Sequence, residues 1–495
     1  MPKTEPINGA ASEKSRMVAF KKLKEISLTL AGDLVALIIG WYLFYFLRFE
    51  LGLTGESTSG DPPQLLLPAI VIAIYWVLIF TIFGLYRKFY LISRFDEIIR
   101  VAKITIIGTL ILFFLLFIDT LGWTDENLAQ AKTVTFVYWL VVFGVVGVNR
   151  LTIRSFQKWR AQQGKGLHQA LIVGTGPTAE TVYQNLKRNP TLGMSVRGFI
   201  SANGEGADLK GEATDLNNTP EILGNLTNLK QIIAKNEIED VIVALEDHNG
   251  DDLIRVLDQV DQPDVSVKIL PDFHQVISGL NQTNQIFGLP LIEVMPDPMP
   301  TWEKFVKRGM DILLATLILT ITLPIVLILI ALVKIDSSGP AFYKQLRVGK
   351  YGREFNIYKF RTMYQNAEKQ TGPMWAEEDD PRITPVGYWL RKLRLDEIPQ
   401  LLNVLKGEMS LVGPRPERPY FVEKFRKEIP LYSRRLRVKP GITGWAQVKW
   451  KYDSSFEDVK EKTKYDLFYV ENMSLRMDMK ILINTIYTVF AGKGQ

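Results

Sequence analysis

Asp396 and Glu397 stand side by side in the stretch LRLDEIPQLLNVLKGEMSLVGPRPERP, and Arg415 follows, locked between Pro414 and Pro416. Two adjacent carboxylates ahead of a helical run have two readings. They can be ordinary acids at a helix N-terminus, where Pro399 suits the first turn and the helix dipole favours negative charge. Alternatively they serve a phosphate, one carboxylate attacking while its neighbour holds a hard cation. Mg2+ takes one or two carboxylates together with substrate phosphate oxygens, so adjacency is enough. Proline restricts its own torsion and that of the residue before it, which presents Arg415 with little freedom. A guanidinium fixed in this way binds phosphate bidentately.

Basic residues cluster upstream. In YKQLRVGKYGREFNIYKFRTM, Lys359 and Arg361 flank Phe360. Alternate residues of a strand share a face, so these two can reach one phosphate from the same side; the plainer reading is a basic face against anionic lipid headgroups. Arg382, Arg391 and Arg394 precede the acid pair, and Arg434, Arg435, Arg437 and Lys439 precede a later Pro-Gly turn. The chain has no cysteine and three histidines, which removes thiolate sites and leaves little room for imidazole ones. Any metal must be held by oxygen. Basic and aromatic residues together can mark a nucleic-acid surface, but apolar spans beside an acid pair favour a nucleotide-linked lipid substrate and no nucleic acid.

These residues need a scaffold, and 495 residues are too many for one core. A hydrophobic fraction of 47% with mean hydropathy +0.05 calls for membrane segments. Four apolar stretches, roughly 26–47, 65–86, 104–122 and 133–149, have the length of spanning helices. Lys21, Lys22 and Lys24 precede the first, Arg87, Lys88, Arg94, Arg100 and Lys103 lie between the second and third, and Arg150, Arg154, Lys158 and Arg160 follow the fourth. The other two loops are acidic, so a tail at 1–20 and both ends of a four-helix transmembrane domain at 21–160 face the cytoplasm. Asp33 in the first span is either a functional intramembrane acid or a partner of neighbouring helices.

Residues 161–300 alternate strands and helices, as in a Rossmann-like α/β domain followed by a linker. Gly174 and Gly176 open a G-x-G-x-x-A turn that can cradle a pyrophosphate. The next strand ends in Ser201-Ala202-Asn203, where a dinucleotide site wants an acid. A further apolar stretch, about 308–334, carries Pro324 near its middle and basic residues on both flanks. A plain fifth span would carry everything after it to the outside; since proline bends a helix and both flanks are basic, the expectation is instead a re-entrant hairpin that enters the bilayer, turns at Leu323-Pro324 and returns to the same face.

The motifs KFRTM, LDEIPQLLNVLKGEMSLVGPRP and RLRVKPGITGWAQV, behind a proline-broken membrane helix, resemble those of the bacterial sugar transferases called monotopic phosphoglycosyl transferases. The resemblance covers about 301–495, and the preceding domains resemble the N-terminal part of the large members, of the undecaprenyl-phosphate galactose or glucose phosphotransferase type. It implies a multidomain membrane protein: a four-helix transmembrane bundle, a Rossmann-like α/β domain, and an α/β catalytic domain with a re-entrant membrane helix hairpin. It implies that Asp396 attacks the β-phosphorus of a UDP-sugar, expelling UMP, and that undecaprenyl phosphate then takes the phosphosugar. In the same scheme Glu397 holds Mg2+, and Arg391 and Arg415 bind phosphate.

That is the first membrane step of capsule, exopolysaccharide or O-antigen synthesis, at the bacterial inner membrane with the catalytic domain cytoplasmic, and the resemblance is compatible with a homodimer. The sugar is left open. Arg394 departs from the small polar residue that members often carry ahead of the LDE. Two rivals stand beside this reading: an NAD(P)-dependent nucleotide-sugar oxidoreductase working through Gly174 and Gly176, and a non-enzymatic membrane scaffold.

Overall fold

A computed structural model describes residues 8–52, 66–86, 94–117, 125–202, 221–246, 250–260, 265–270, 291–294, 298–365, 380–450 and 456–490. Arg87, Lys88 and most of the two acidic loops of the charge pattern lie outside these residues. The chain divides into two compact units, Met1–Asn249 with Asp264–Val294, and Gly250–Pro263 with Met295–Gln495.

The first unit begins with helices α1 (Asn8–Tyr45), α2 (Leu66–Ile82), α3 (Arg94–Phe117) and α4 (Asp125–Gln162), so the helix of the first span already starts within the expected tail. Among the described residues, Ile26–Glu50, Arg94–Leu115 and Ala129–Gln162 here, and Thr301–Asp336 in the second unit, are long and apolar enough to cross a membrane. Leu66–Ile82 is also apolar but shorter. Its 17 residues reach about 26 Å at a helical rise of 1.5 Å per residue. This is a membrane protein of several domains.

The bundle is packed on Trp76, Phe80, Val101, Tyr138 and Val146, and the Trp76 indole donates to the Tyr138 hydroxyl at 2.7 Å. Asp33 answers the question its position raised. It is fully buried and accepts hydrogen bonds from Asn149 Nδ2 at 2.9 Å and Arg150 Nε at 3.2 Å. Arg150 also lies 3.6 Å from Glu97, which pairs with Arg154 at 3.3 Å. A charge in this setting is tolerable only with a partner, and here alternating charges tie α1, α3 and α4 together.

The rest of the first unit is a six-stranded sheet: β1 (His168–Val173), β2 (Met194–Ser201), β3 (Ile222–Asn225), β4 (Asp240–Val243), β5 (Ser266–Ile269) and β6 (Ile292–Val294). The order is β3-β2-β1-β4-β5-β6, parallel except for β6. Helix α5 (Pro177–Arg188) packs Val182 and Leu186 with Ile172, Phe199 and Ile242 of the sheet. The order reverses between β1 and β4, which is where such sheets open a crevice, and the Gly174 turn follows β1. Short helices α6 (Leu229–Lys235) and α7 (Gly250–Gln259) complete this stretch of chain, and α7 belongs to the second unit.

The second unit is built on one long helix, α8 (Thr301–Asp336), with Pro324 inside it. An antiparallel pair follows, β7 (Phe342–Val348) and β8 (Glu354–Phe360), in register Phe342 to Phe360 through Val348 to Glu354. Then come α9 (Pro385–Lys392), α10 (Leu401–Lys406), β9 (Ser410–Val412), α11 (Pro419–Glu428), β10 (Gly441–Thr443), α12 (Trp445–Lys449), α13 (Phe456–Glu471) and α14 (Leu475–Phe490), with β9 and β10 paired in parallel. Ala315 of α8 shares a core with Phe355, Ile357, Val404, Met409, Tyr469 and Ile481. Farther along α8, Leu329 and Val333 share another with Phe360 and Leu390.

Replacing Asp33 by Ala leaves the buried Arg150 short of its main counter-ion. The expected result is a loss of about 3 kcal/mol, read as a lowered melting temperature of the solubilised protein, with Asp33→Asn, which keeps an acceptor, losing less.

Candidate active site

The acid pair is carried by a backbone that resists the extended helix expected of it. After α9, Arg394 adopts a left-handed conformation with φ 55°, and a tight 3-10 turn covers Leu395–Gln400 before α10 starts. Pro399 therefore lies in the turn and not in the first turn of one long helix. Neither side chain acts as a cap there. Both carboxylates are buried and face strand β8.

Lys359 Nζ donates to Glu397 Oε1 at 2.9 Å and lies 3.8 Å from Asp396 Oδ2. Arg415 Nη2 donates to the same Glu397 oxygen at 2.8 Å. Glu397 is thus shared between two cations, while Asp396 is left with the longer contact to one of them. Arg391 stands at the side of the group, its Nε donating to Thr362 Oγ1 at 2.9 Å.

Electrostatics separate the two acids. Burial pushes the Asp396 carboxyl above its ordinary value; Lys359 opposes this and the Glu397 charge adds to it. For Glu397 burial acts in the same upward direction, but Arg415 and Lys359 outweigh it and hold the carboxyl below its ordinary range. Burial lowers the Lys359 ammonium against the pull of Glu397, with Arg415 repelling it as well. One acid is held firmly ionised, and the other sits poised beside it.

The backbone of Arg415 is pinned from behind by charges that spacing gave no reason to place there. Arg435 Nη2 donates to the Arg415 carbonyl at 2.8 Å, and the Arg435 guanidinium pairs with Asp466 at 2.8 Å. Arg347 Nη1 donates to the Pro416 carbonyl at 2.9 Å, and its neighbour Glu417 takes Arg347 at 3.6 Å and Lys462 at 3.4 Å. Proline rigidity, read from the sequence, is therefore only half of what fixes Arg415.

Asn403 is another residue that motif reasoning passed over. It is completely buried; its Oδ1 accepts from Tyr358 N at 3.1 Å, and its Nδ2 donates to Asn356 O at 2.8 Å and Glu408 Oε2 at 2.7 Å. The amide pairs with the free edge of β8 as a neighbouring strand would, and so fastens α10 to the strand that carries Lys359.

Arg361, expected beside Lys359 as a phosphate ligand, does something else. β8 ends at Phe360, so strand alternation no longer aligns the two side chains. The Arg361 guanidinium donates to the carbonyls of Val333, Ser337 and Ser338 at the end of α8.

The Gly174 turn is shaped by close contact: with φ +128°, a Cβ at Gly174 would come 2.2 Å from the Ala244 carbonyl. A Cβ at Gly176 would meet Glu246 Oε1 at 2.0 Å, so a carboxylate already lies against the turn at the start of α5. A pyrophosphate there would have to displace like charge, and Ser201 supplies no ribose acid. The residues present do not fit an anionic nucleotide at this turn. For a cation the donor set is better: no cluster of three or more His, Cys, Asp or Glu exists among the described residues, but adjacent Asp396 and Glu397 suit a hard ion that completes its shell with substrate oxygens and water.

Residues 302–492 match the family described as bacterial sugar transferase, and residues 81–271 the family described as CoA-binding domain. The UDP-N-acetylgalactosamine-undecaprenyl-phosphate N-acetylgalactosaminephosphotransferase of Aeromonas hydrophila is 43% identical over 46% of this chain and 53% of its own length. The UDP-glucose:undecaprenyl-phosphate glucose-1-phosphate transferase of Klebsiella pneumoniae is 30% identical over 86% of this chain and 89% of its own. The enzyme of that name in Xanthomonas campestris pv. campestris is 34% identical over 70% and 71%.

Replacing Asn403 by Leu keeps the volume but strips Tyr358 N, Asn356 O and Glu408 of their partner. Each buried group left unpaired costs about 1–3 kcal/mol, so a drop of about 3 kcal/mol or more is expected from thermal or denaturant unfolding.

Proposed function

The chain belongs to the bacterial sugar transferase family, and we propose that it transfers a hexose 1-phosphate from a UDP-sugar to undecaprenyl phosphate, releasing UMP. The observation that carries this is the sharing of Glu397 between Lys359 and Arg415, which leaves the buried Asp396 with the longer contact, 3.8 Å to Lys359. In the first step an Asp396 Oδ lone pair attacks the β-phosphorus of the donor. The Asp–O–P bond forms, the bond to the UMP oxygen breaks, and UMP leaves with that electron pair. In the second step a phosphate oxygen of undecaprenyl phosphate attacks the same phosphorus and frees the Asp396 carboxylate.

No strong acid or base is needed, because one phosphoanhydride is exchanged for another and the work is positioning and charge neutralisation. Arg415 and Lys359 supply two fixed cations for the phosphoryl oxygens, and Arg391 a third at the edge. Glu397, with Asp396 beside it, would hold Mg2+, which when bound neutralises diphosphate charge.

The same reading puts the catalytic unit on the cytoplasmic face of the inner membrane, with α8 as a re-entrant hairpin turning at Leu323-Pro324. Supporting this, both ends of α8 are fastened to one unit. Arg308 donates to Val404 O and Leu405 O, and Asp311 accepts from Ser410 Oγ and Leu411 N, while Arg361 holds the carbonyls at the other end. From Asp311 to Val333 a straight helix covers about 33 Å, the thickness of a hydrocarbon core. A straight crossing would part the two sets of anchors; a helix bent at proline returns them to one face. The named sugars of the relatives differ, N-acetylgalactosamine in one and glucose in others, so the donor is for experiment to name.

Purified protein with polyprenyl phosphate, Mg2+ and a panel of UDP-sugars is expected to release UMP, and Asp396→Asn to abolish it. Release of UDP would overturn phosphosugar transfer. The pH profile gives a second test. Asp396 attacks only when ionised and its pKa is raised, so turnover should rise with pH along a limb lying above the range of an ordinary aspartate. Lys359→Met removes a cation that lowers that pKa; the limb should move to still higher pH, and the plateau should fall about 100-fold.

A further inference from the structure

Arg361 is the buried cation of the KFRTM segment that the transfer chemistry leaves without a task. Its Nη1 donates to Ser338 O at 3.0 Å, and its Nη2 reaches Val333 O at 3.2 Å, Ser337 O at 2.6 Å and Ser337 Oγ at 2.9 Å. These carbonyls end α8, where a helix has acceptors with no partner of its own and where its dipole favours a cation. The turn is fitted to the guanidinium: Gly339 has φ +123°, and a Cβ there would come 2.3 Å from Arg361 Nη1. On its other side the Arg361 backbone directly follows the end of the strand of Lys359. Phe360, between the two, packs with Leu329 and Val333 of the same helix end, and Arg361 N donates to Ala341 O at 2.9 Å.

We propose that Arg361 is a positioning residue for the lipid acceptor: it ties the trailing end of the membrane helix to the strand bearing Lys359 and so fixes the depth at which a lipid-borne phosphate meets the catalytic cations. This rests on the transfer reading above. The two substrates feel the tether differently. A UDP-sugar arrives from water and is read by Arg415 and the acid pair. An acceptor with a long hydrocarbon tail is held at the level of the bilayer, so its phosphate finds Lys359 only if helix and strand keep their relative height.

The test uses the full-length protein in lipid nanodiscs, with Arg361→Lys, which keeps the charge and loses the fork, and Gly339→Ala, which leaves Arg361 in place and crowds it. KM is measured for UDP-sugar, for a long-chain polyprenyl phosphate and for a short, water-soluble prenyl phosphate, together with the UMP burst without acceptor. Both variants are expected to raise the long-chain KM about tenfold, the scale of a lost hydrogen bond to a charged group. The short-chain KM, donor KM and burst should stay within about twofold. An unchanged long-chain KM, or an equal rise for short and long acceptors, overturns the tether while transfer stands. A burst lost in proportion to turnover makes Arg361 a merely structural residue and overturns it too. Wild-type protein that releases no UMP with any donor overturns the transfer reading, and the acceptor role of Arg361 with it.

Discussion

The catalytic unit depends on a balance of buried charge around one carboxylate oxygen. Glu397 Oε1 takes both Lys359 and Arg415, and removing either would leave ions that burial penalises. Burial pushes both carboxyls up; the two cations on that oxygen pull Glu397 below its ordinary range, while Asp396, with the longer contact to Lys359, stays raised. Two acids adjacent in sequence are thereby made chemically unlike. Pairs of titratable groups whose surroundings push them apart are where acid and nucleophile roles divide.

That balance demands more of the scaffold than the site itself. The strand that carries Lys359 is one of a pair, and Asn403 fastens its free edge to α10. Arg415 must keep its bearing, which requires Arg435 and Arg347 on the backbone of the proline loop and Asp466 and Glu417 to neutralise them. Each of these cations has an acid beside it, Arg415 with Glu397 and Arg435 with Asp466, so each charge is buried without being stranded. In the membrane bundle the same device recurs in Asp33, Arg150, Glu97 and Arg154.

Much of this was legible in the residues and some was not, for physical reasons. Apolar runs of span length located the apolar helices, because lipid permits few alternatives to a helix. Alternating strands and helices with a glycine turn located the parallel sheet. Asp396, Glu397 and Arg415 could be singled out since adjacency and flanking prolines are properties of the chain itself. Arg361 could not be read correctly: strand periodicity says nothing of where a strand stops, and one residue past its end the side chain turned to a helix terminus. Asn403, Arg435 and Asp466 act only through partners far off in sequence, and a lone Asn in an apolar helix or an Arg in a basic run carries no mark of such a partner.

Arg394 shows how local strain and site geometry are linked. A bulky residue in the left-handed region costs on the order of 1–2 kcal/mol, and such a cost persists where the surrounding structure over-determines it. Here the left-handed residue stops α9 and starts the 3-10 turn, with Glu397 N reaching back to Arg394 O at 3.4 Å. The break separates α9 from the turn that leads into α10. The turn that starts there carries both acids, and Lys359 stands 2.9 Å from Glu397 and 3.8 Å from Asp396. Arg394 therefore lies at the bend from which the dyad starts.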